Sequence, residues 1–162
     1  MLIRLAEDRD AEAIRTIYNP FVLTSTVTFD LEPRSLEQQR AWLRDRSGAH
    51  AVLVAEIDGE TAGFASLSPY RMRAAYSTSV EDSVYVADHF QGRGVGSNLL
   101  GAILDVAADH GFHSVLAKIV DGHAASIALH EAHGFELVGI EREIGRKFNK
   151  WLDVALMQKL LD

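Results

Sequence analysis

At 162 residues, 48% of them hydrophobic and 24% charged, the chain has the composition of an ordinary globular protein that buries a core without metal or disulfide support. It has no cysteine, which excludes disulfides, thiolate nucleophiles and acyl-cysteine intermediates. A net charge of −7 without any basic stripe argues against nucleic acid and anionic membrane as partners, and no apolar run reaches the ~20 residues that span a bilayer.

The N-terminal Met1-Leu2-Ile3-Arg4-Leu5 lacks signal or transit character, so a cytoplasmic location is expected. No linker, repeat or low-complexity segment interrupts the chain, and residues 1–162 read as one domain. A strand at Leu2–Leu5 leads into a helix that Asp8 can cap and Asn19-Pro20 is expected to end. Ser35 and Gln38 form a capping box for a second helix carrying Leu36, Trp42 and Leu43, closed at Gly48. Ala51–Ile57 and Thr61–Leu67 flank Asp58-Gly59, a strong hairpin signal. Ser79–Val86 is the next strand, followed by a glycine-rich turn and a helix with Leu99, Leu100, Ile103, Leu104 and Ala107 at helical spacing up to Gly111. Ser114–Val120 reads as a strand, Ala124–His133 as a helix ended by Gly134, and Phe135–Ile144 with Trp151–Leu160 as a last strand pair. The fold class is α/β (α+β), a mixed central sheet with helices on both faces. Ser79–Val86 and Ser114–Val120, joined through a helix, are expected to be parallel neighbours.

The turn Gln91-Gly92-Arg93-Gly94-Val95-Gly96-Ser97 carries most information. Glycines let consecutive N–H groups converge on an anion, and the helix start adds partial positive charge. A P-loop would need Gly-Lys-Ser/Thr, but Gly96 is followed by Ser97 and Asn98. A dinucleotide fingerprint would need a third glycine where Leu99 stands. Gln91, Gly94 and Gly96 fit Gln-x-x-Gly-x-Gly; a glycine turn without a ligand is the plainer alternative.

That pattern resembles the pyrophosphate loop of the GCN5-related N-acetyltransferase (GNAT) superfamily, and the order of elements resembles its fold over nearly the whole chain. Gly122 to Phe135, Gly145 to Val154, Met157-Gln158, Thr28-Phe29-Asp30, Glu32-Pro33 and Glu81 to Val86 are similar to the phosphinothricin and methionine sulfoximine acetyltransferase branch. The resemblance implies acetyl-coenzyme A as co-substrate, no metal, a homodimer, and contact of the cofactor with Val84, Tyr85, Val86 and Gln91 to Ser97, together with Ser126. His123 stands where asparagine is usual and can donate only one of the bonds an amide offers.

Attack on a thioester requires a neutral amine, so a base must take up a proton. Glu81, at the head of its strand, is the candidate, with a solvated strand-end carboxylate as the alternative. By resemblance His130 occupies the position of the acid to the departing thiolate; as a histidine it needs bound coenzyme A or a nearby acid to stay protonated, or it contacts sulfur in neutral form, or it is a packed helix residue beside Phe135. Arg71 and Arg73, flanked by Tyr70 and Tyr76, suit a small acid because guanidinium binds oxyanions in bidentate fashion. The resemblance assigns Arg73 and Arg71 to the substrate's acid group, with Phe29, Glu32, Tyr76 and Lys147 lining the pocket, in part from a neighbouring subunit; exposed loop arginines pairing surface carboxylates are the alternative, above all for Arg71. Trp42 and Trp151 read as core or interface aromatics. His130-Glu131-Ala132-His133 lacks the spacing of a zinc-protease helix, and no third ligand is evident. The expected activity is acetylation of the α-amino group of phosphinothricin, methionine sulfoximine or methionine sulfone. Acetylation of protein N-termini or polyamines, and a non-catalytic acyl-coenzyme A sensor, are the alternatives.

Overall fold

The computed structural model describes residues 1–162. Its strands are β1 (Leu2–Leu5), β2 (Val52–Ile57), β3 (Glu60–Pro69), β4 (Ser79–Val86), β5 (Ser114–Val120), β6 (Glu136–Lys147) and β7 (Lys150–Leu160); its helices are α1 (Ala11–Thr24), α2 (Leu36–Arg44), α3 (Val95–Asp109) and α4 (Ala124–Ala132). The strands form one sheet in the order β1-β2-β3-β4-β5-β7-β6. The β2–β3 hairpin turns at Asp58 and Gly59, whose φ of 52° and 82° give the doubly left-handed turn that matches strand twist. Gly63 is required where β3 meets β4: a Cβ there would lie 2.7 Å from the Tyr85 carbonyl oxygen.

Two helix boundaries differ from expectation. Asp8 does not cap α1; Asp8–Asp10 form a short 3-10 turn in which Asp10 accepts from the Glu7 N–H at 2.7 Å while pairing with Arg4. Nor does Pro20 end α1, which runs on to Thr24. Buried Ile17 and Tyr18 before the proline and Val22 after it hold both halves against the sheet, so packing outweighs the ~3 kcal/mol cost of an interior proline. The Thr24 hydroxyl also donates to the Pro20 carbonyl at 2.8 Å. The Ser35–Gln38 capping box forms as expected, but α2 stops at Arg44 and Gly48 lies beyond it in the turn to β2.

Two apolar layers flank the sheet. On one face Leu99, Leu100 and Ile103 of α3 pack on Val80, Val115 and Met157. On the other, Ile14 and Val22 of α1 pack on Val54 and Phe64. All pairings are antiparallel except β4 with β5, which are parallel but paired only at Ser79↔Ser114, Val80↔Val115 and Glu81↔Leu116. Past Glu81 the two strands diverge. From there to Val86, β4 keeps β3 on one side and has no partner on the other. Its outward N–H and C=O groups are left for an extended ligand.

Candidate active site

Because successive side chains of a strand alternate in direction, β4 presents different residues to the two faces of the sheet at this split. Glu81, Ser83 and Tyr85 line a cavity of about 420 Å³ on the α1–α2 side. Asp82, Val84 and Val86 line a groove of about 490 Å³ that runs to the glycine turn and α4. The two openings share Val27, Ser83, Tyr85, Lys118 and Val120. The groove and the cavity therefore adjoin at this shared wall, where Lys118 lies 3.6 Å from Glu81.

The Glu81 carboxylate is partly buried and lies 3.6 Å from the Lys118 ammonium. Burial pushes its pKa upward, with Lys118 pulling against the shift. A carboxylate raised in this way is a better proton acceptor than one in water. The charged Lys118 inside the apolar run Ser114–Val120 was a legible signal that sequence reasoning passed over.

His130 on α4 is buried, and both ring nitrogens are occupied. Nδ1 lies 2.7 Å from the Ser126 carbonyl and Nε2 3.0 Å from the buried Asp82 carboxylate. Two acceptors facing one imidazole favour the doubly protonated ring. Burial alone would lower its pKa, but the Asp82 bond and charge together with the Ser126 carbonyl outweigh this and raise it. Asp82 is thus the nearby acid His130 was expected to need, and it was missed. Donation from His130 to sulfur requires release of one of these two bonds. The ring also packs edge-on against Phe135 at 4.9 Å.

The glycine turn is preformed. Gly92 and Gly94 take φ of 74° and 79°, and Gly94 is the left-handed cap of α3. No acceptor in the chain meets the N–H groups from Gly92 to Ser97; the first helical bond runs from Asn98 N–H to Gly94. Gln91 braces the turn through Asp88 at 3.2 Å. Arg93 is exposed over Phe90 and is not on the groove wall, whereas Gln91, Gly92, Gly94, Val95, Gly96 and Ser97 are. His123 and Ser126 line the groove near the start of α4, and His123 makes no side-chain capping bond.

Of the expected substrate residues, only Phe29 is on the cavity wall. Its ring lies on Gly145, where any Cβ would come within 2.2 Å of it. Glu32, Arg71 and Arg73 are exposed and, with Tyr76, stand outside the wall of the single chain. Arg71 packs against Tyr70 and Tyr76, and Tyr70 in turn has the Lys118 ammonium 5.7 Å from its ring centre, so this loop lies on the Lys118 side without reaching the cavity wall. Lys147 is buried and donates to the Thr28 carbonyl at 2.8 Å, anchoring the loop that carries Phe29. The wall instead includes Tyr18, Asp30, Arg34, Trp42, Arg46, Ser66 and Ser68. Trp42 packs against the core at Phe64, as expected, and also lines the cavity, whereas Trp151 is exposed. No cluster of potential metal ligands is present.

Residues 3–156 match the family described as Acetyltransferase (GNAT) domain. The chain is 39% identical to the phosphinothricin N-acetyltransferase of Streptomyces coelicolor, over 98% of this chain and 95% of that protein. It is 38% identical to the L-methionine sulfoximine/L-methionine sulfone acetyltransferase of Pseudomonas aeruginosa, over 99% of this chain and 94% of that one. The crystal structure of a ribosomal-protein-alanine N-acetyltransferase from Brucella melitensis matches with a TM-score of 0.98 at 40% identity, covering 99% of this chain and 100% of that one. A phosphinothricin acetyltransferase from Sinorhizobium meliloti in complex with AcCoA matches with a TM-score of 0.95 at 35% identity, covering 99% and 88%. The chain belongs to the GNAT acetyltransferase family and is an acetyltransferase.

Proposed function

We propose that the protein transfers acetyl from acetyl-coenzyme A to the α-amino group of a small amino acid or analogue of the phosphinothricin, methionine sulfoximine or methionine sulfone type. The observation that carries this reading is the meeting of groove and cavity beside a carboxylate of raised pKa. The diphosphate fits the unpaired N–H groups from Gly92 to Ser97, and the pantetheine arm fits the free edge of β4 at Val84, Tyr85 and Val86. A diphosphate chain lying there brings a thioester to the split between β4 and β5. Glu81 accepts a proton from the amine, directly or through water, as nitrogen adds to the thioester carbonyl. Outward N–H groups of β4 offer hydrogen bonds to the developing oxyanion. When the C–S bond breaks its electron pair goes to sulfur, and His130, charged beside Asp82, is the proton source for it. Arg73 and Arg71, in the loop on the Lys118 side, hold the substrate's acid group. Tyr76 packs beside Arg71 in the same loop, and Glu32 completes this side of the site from the partner subunit of a homodimer. Exposed Leu137, Val138, Ile144 and Phe148 on and beside the edge strand β6 provide an apolar surface for that dimer. We place this single-domain enzyme in the cytoplasm; none of its helices is long and apolar enough to cross a membrane.

The Brucella structure favours one second reading, acetylation of a protein N-terminus. Release of thiol from acetyl-coenzyme A, followed with a thiol-reactive dye, separates the two, and the cysteine-free chain adds no background. Rapid release with methionine sulfone, methionine sulfoximine or phosphinothricin, and none with alanyl peptides or spermidine, is the expected result. Release with peptides alone would overturn the assignment.

A further inference from the structure

Six acidic or basic side chains line the substrate cavity: Asp30, Arg34, Arg46, Glu81, Lys118 and Glu141. Lys118 faces Glu81 at 3.6 Å and Arg34 faces Asp30 at 3.4 Å. Arg46 faces no carboxylate. Its two side-chain bonds, to the Trp42 carbonyl at 3.4 Å and the Ser68 hydroxyl at 3.3 Å, are at the long limit of hydrogen bonding, and its buried Nε has no acceptor. Both guanidinium groups stack on one ring: Arg46 lies 4.2 Å and Arg34 5.0 Å from the centre of Trp42. Two like charges share an aromatic platform, and one of them, Arg46, has no carboxylate within salt-bridge distance.

We propose that Arg34 and Arg46, on Trp42, form an oxyanion subsite for the acidic group at the far end of an amino-acid side chain, a phosphinate or a carboxylate. The proposal rests on the amino-acid acetyltransferase reading and is distinct from the Arg71–Arg73 loop, which stands outside this wall. Arg46 is docked on β3 through Ser68, which pairs directly with Glu81 of β4, so the guanidinium and the carboxylate face the same cavity. With the α-carboxylate assigned to Arg71 and Arg73, the acid left for Arg34 and Arg46 is the one at the end of the side chain. The planar fork of arginine also suits the paired oxygens of both acids.

The test compares wild type with Arg46→Gln and Arg34→Gln on two substrates, phosphinothricin, which carries the distal acid, and leucine, which does not. Loss of a charge-assisted contact should lower the ratio of kcat/KM for phosphinothricin to that for leucine by about ten- to a hundredfold. Arg46→Lys, which keeps the charge but not the fork, should lower the ratio as well and serves if Arg46→Gln fails to fold. A ratio within about twofold of wild type in every folded variant would overturn the subsite. A second readout does not depend on turnover. With Trp151→Phe, Trp42 is the one remaining tryptophan, and methylphosphinate should change its fluorescence saturably, an effect lost in the added presence of Arg46→Gln. No saturable change, with leucine and phosphinothricin still acetylated, refutes the subsite and leaves the enzymatic reading standing. A saturable change that needs Arg46, with no amino acid acetylated, supports the subsite and refutes that reading.

Discussion

Replacing Asp82 with asparagine tests the buried pair beneath the groove. Asp82 is fully buried, and its one partner is His130 Nε2 at 3.0 Å. In the folded protein His130 has a pKa above its unfolded value near 6.5. The stability this contributes is therefore fully present below that value and is lost as pH rises through the folded one. Asparagine keeps the shape and can donate its amide N–H to a neutral Nε2, so at high pH the variant should lose only about 1 kcal/mol, the worth of an ordinary hydrogen bond. At low pH the ring must either charge without a counter-ion or stay neutral against solution, and the loss should approach the ~3 kcal/mol that follows removal of one member of a buried pair. Urea unfolding at pH 5.5 and 8.5 measures both. The gap between wild type and Asp82→Asn should be about three times wider at pH 5.5. A gap that stays at about 1 kcal/mol at pH 5.5, or one wider at pH 8.5 than at pH 5.5, would show that His130 is not held charged by Asp82.

Further expectations concern catalysis and the turn. Glu81→Gln should reduce kcat by about a hundred- to ten-thousandfold while acetyl-coenzyme A binding, followed by calorimetry, stays near wild type; in wild type the acid limb of kcat should lie above the ordinary carboxylate range because burial raises the Glu81 pKa. Undiminished kcat in the glutamine variant would remove Glu81 as the base. Arg73→Ala should raise KM for an amino acid far more than for the matching amine without its carboxylate, and equal rises would end the assignment of the arginine loop to the acid group. Gly94→Ala forces a left-handed φ of 79° on a residue with a Cβ, costing about 1 kcal/mol; KM for acetyl-coenzyme A should rise with kcat little changed, and an unaltered KM would separate the turn from cofactor binding.

The strands around the site were legible because their signals are local. Ser79–Val86 and Ser114–Val120 have the observed ends, and Asp58-Gly59 dictates its hairpin through two residues that tolerate positive φ. Pro20 misled because a local preference was overruled by Ile17, Tyr18 and Val22 packing on distant strands. At the site, Glu81 was singled out by its place near the head of β4, and its proposed role as base came from the family resemblance. Its neighbour Asp82 was not singled out, since its role depends on His130, 48 positions away. Arg34 and Arg46 were hidden for the same reason: only the folding of α2 over β3 sets Arg46 beside Ser68. Lys147 shows the opposite error, a basic residue assigned to the pocket that spends its charge on the Thr28 carbonyl.

With cofactor and amine in two openings that adjoin near Glu81, as proposed, transfer is direct and both must be bound together. Initial rates of thiol release, with acetyl-coenzyme A varied at several fixed concentrations of an acetylated amino acid, test this most directly. Double-reciprocal lines that intersect are the result expected of a ternary complex at the split between β4 and β5. Parallel lines, the signature of an acetylated enzyme formed before the amine binds, would contradict the account.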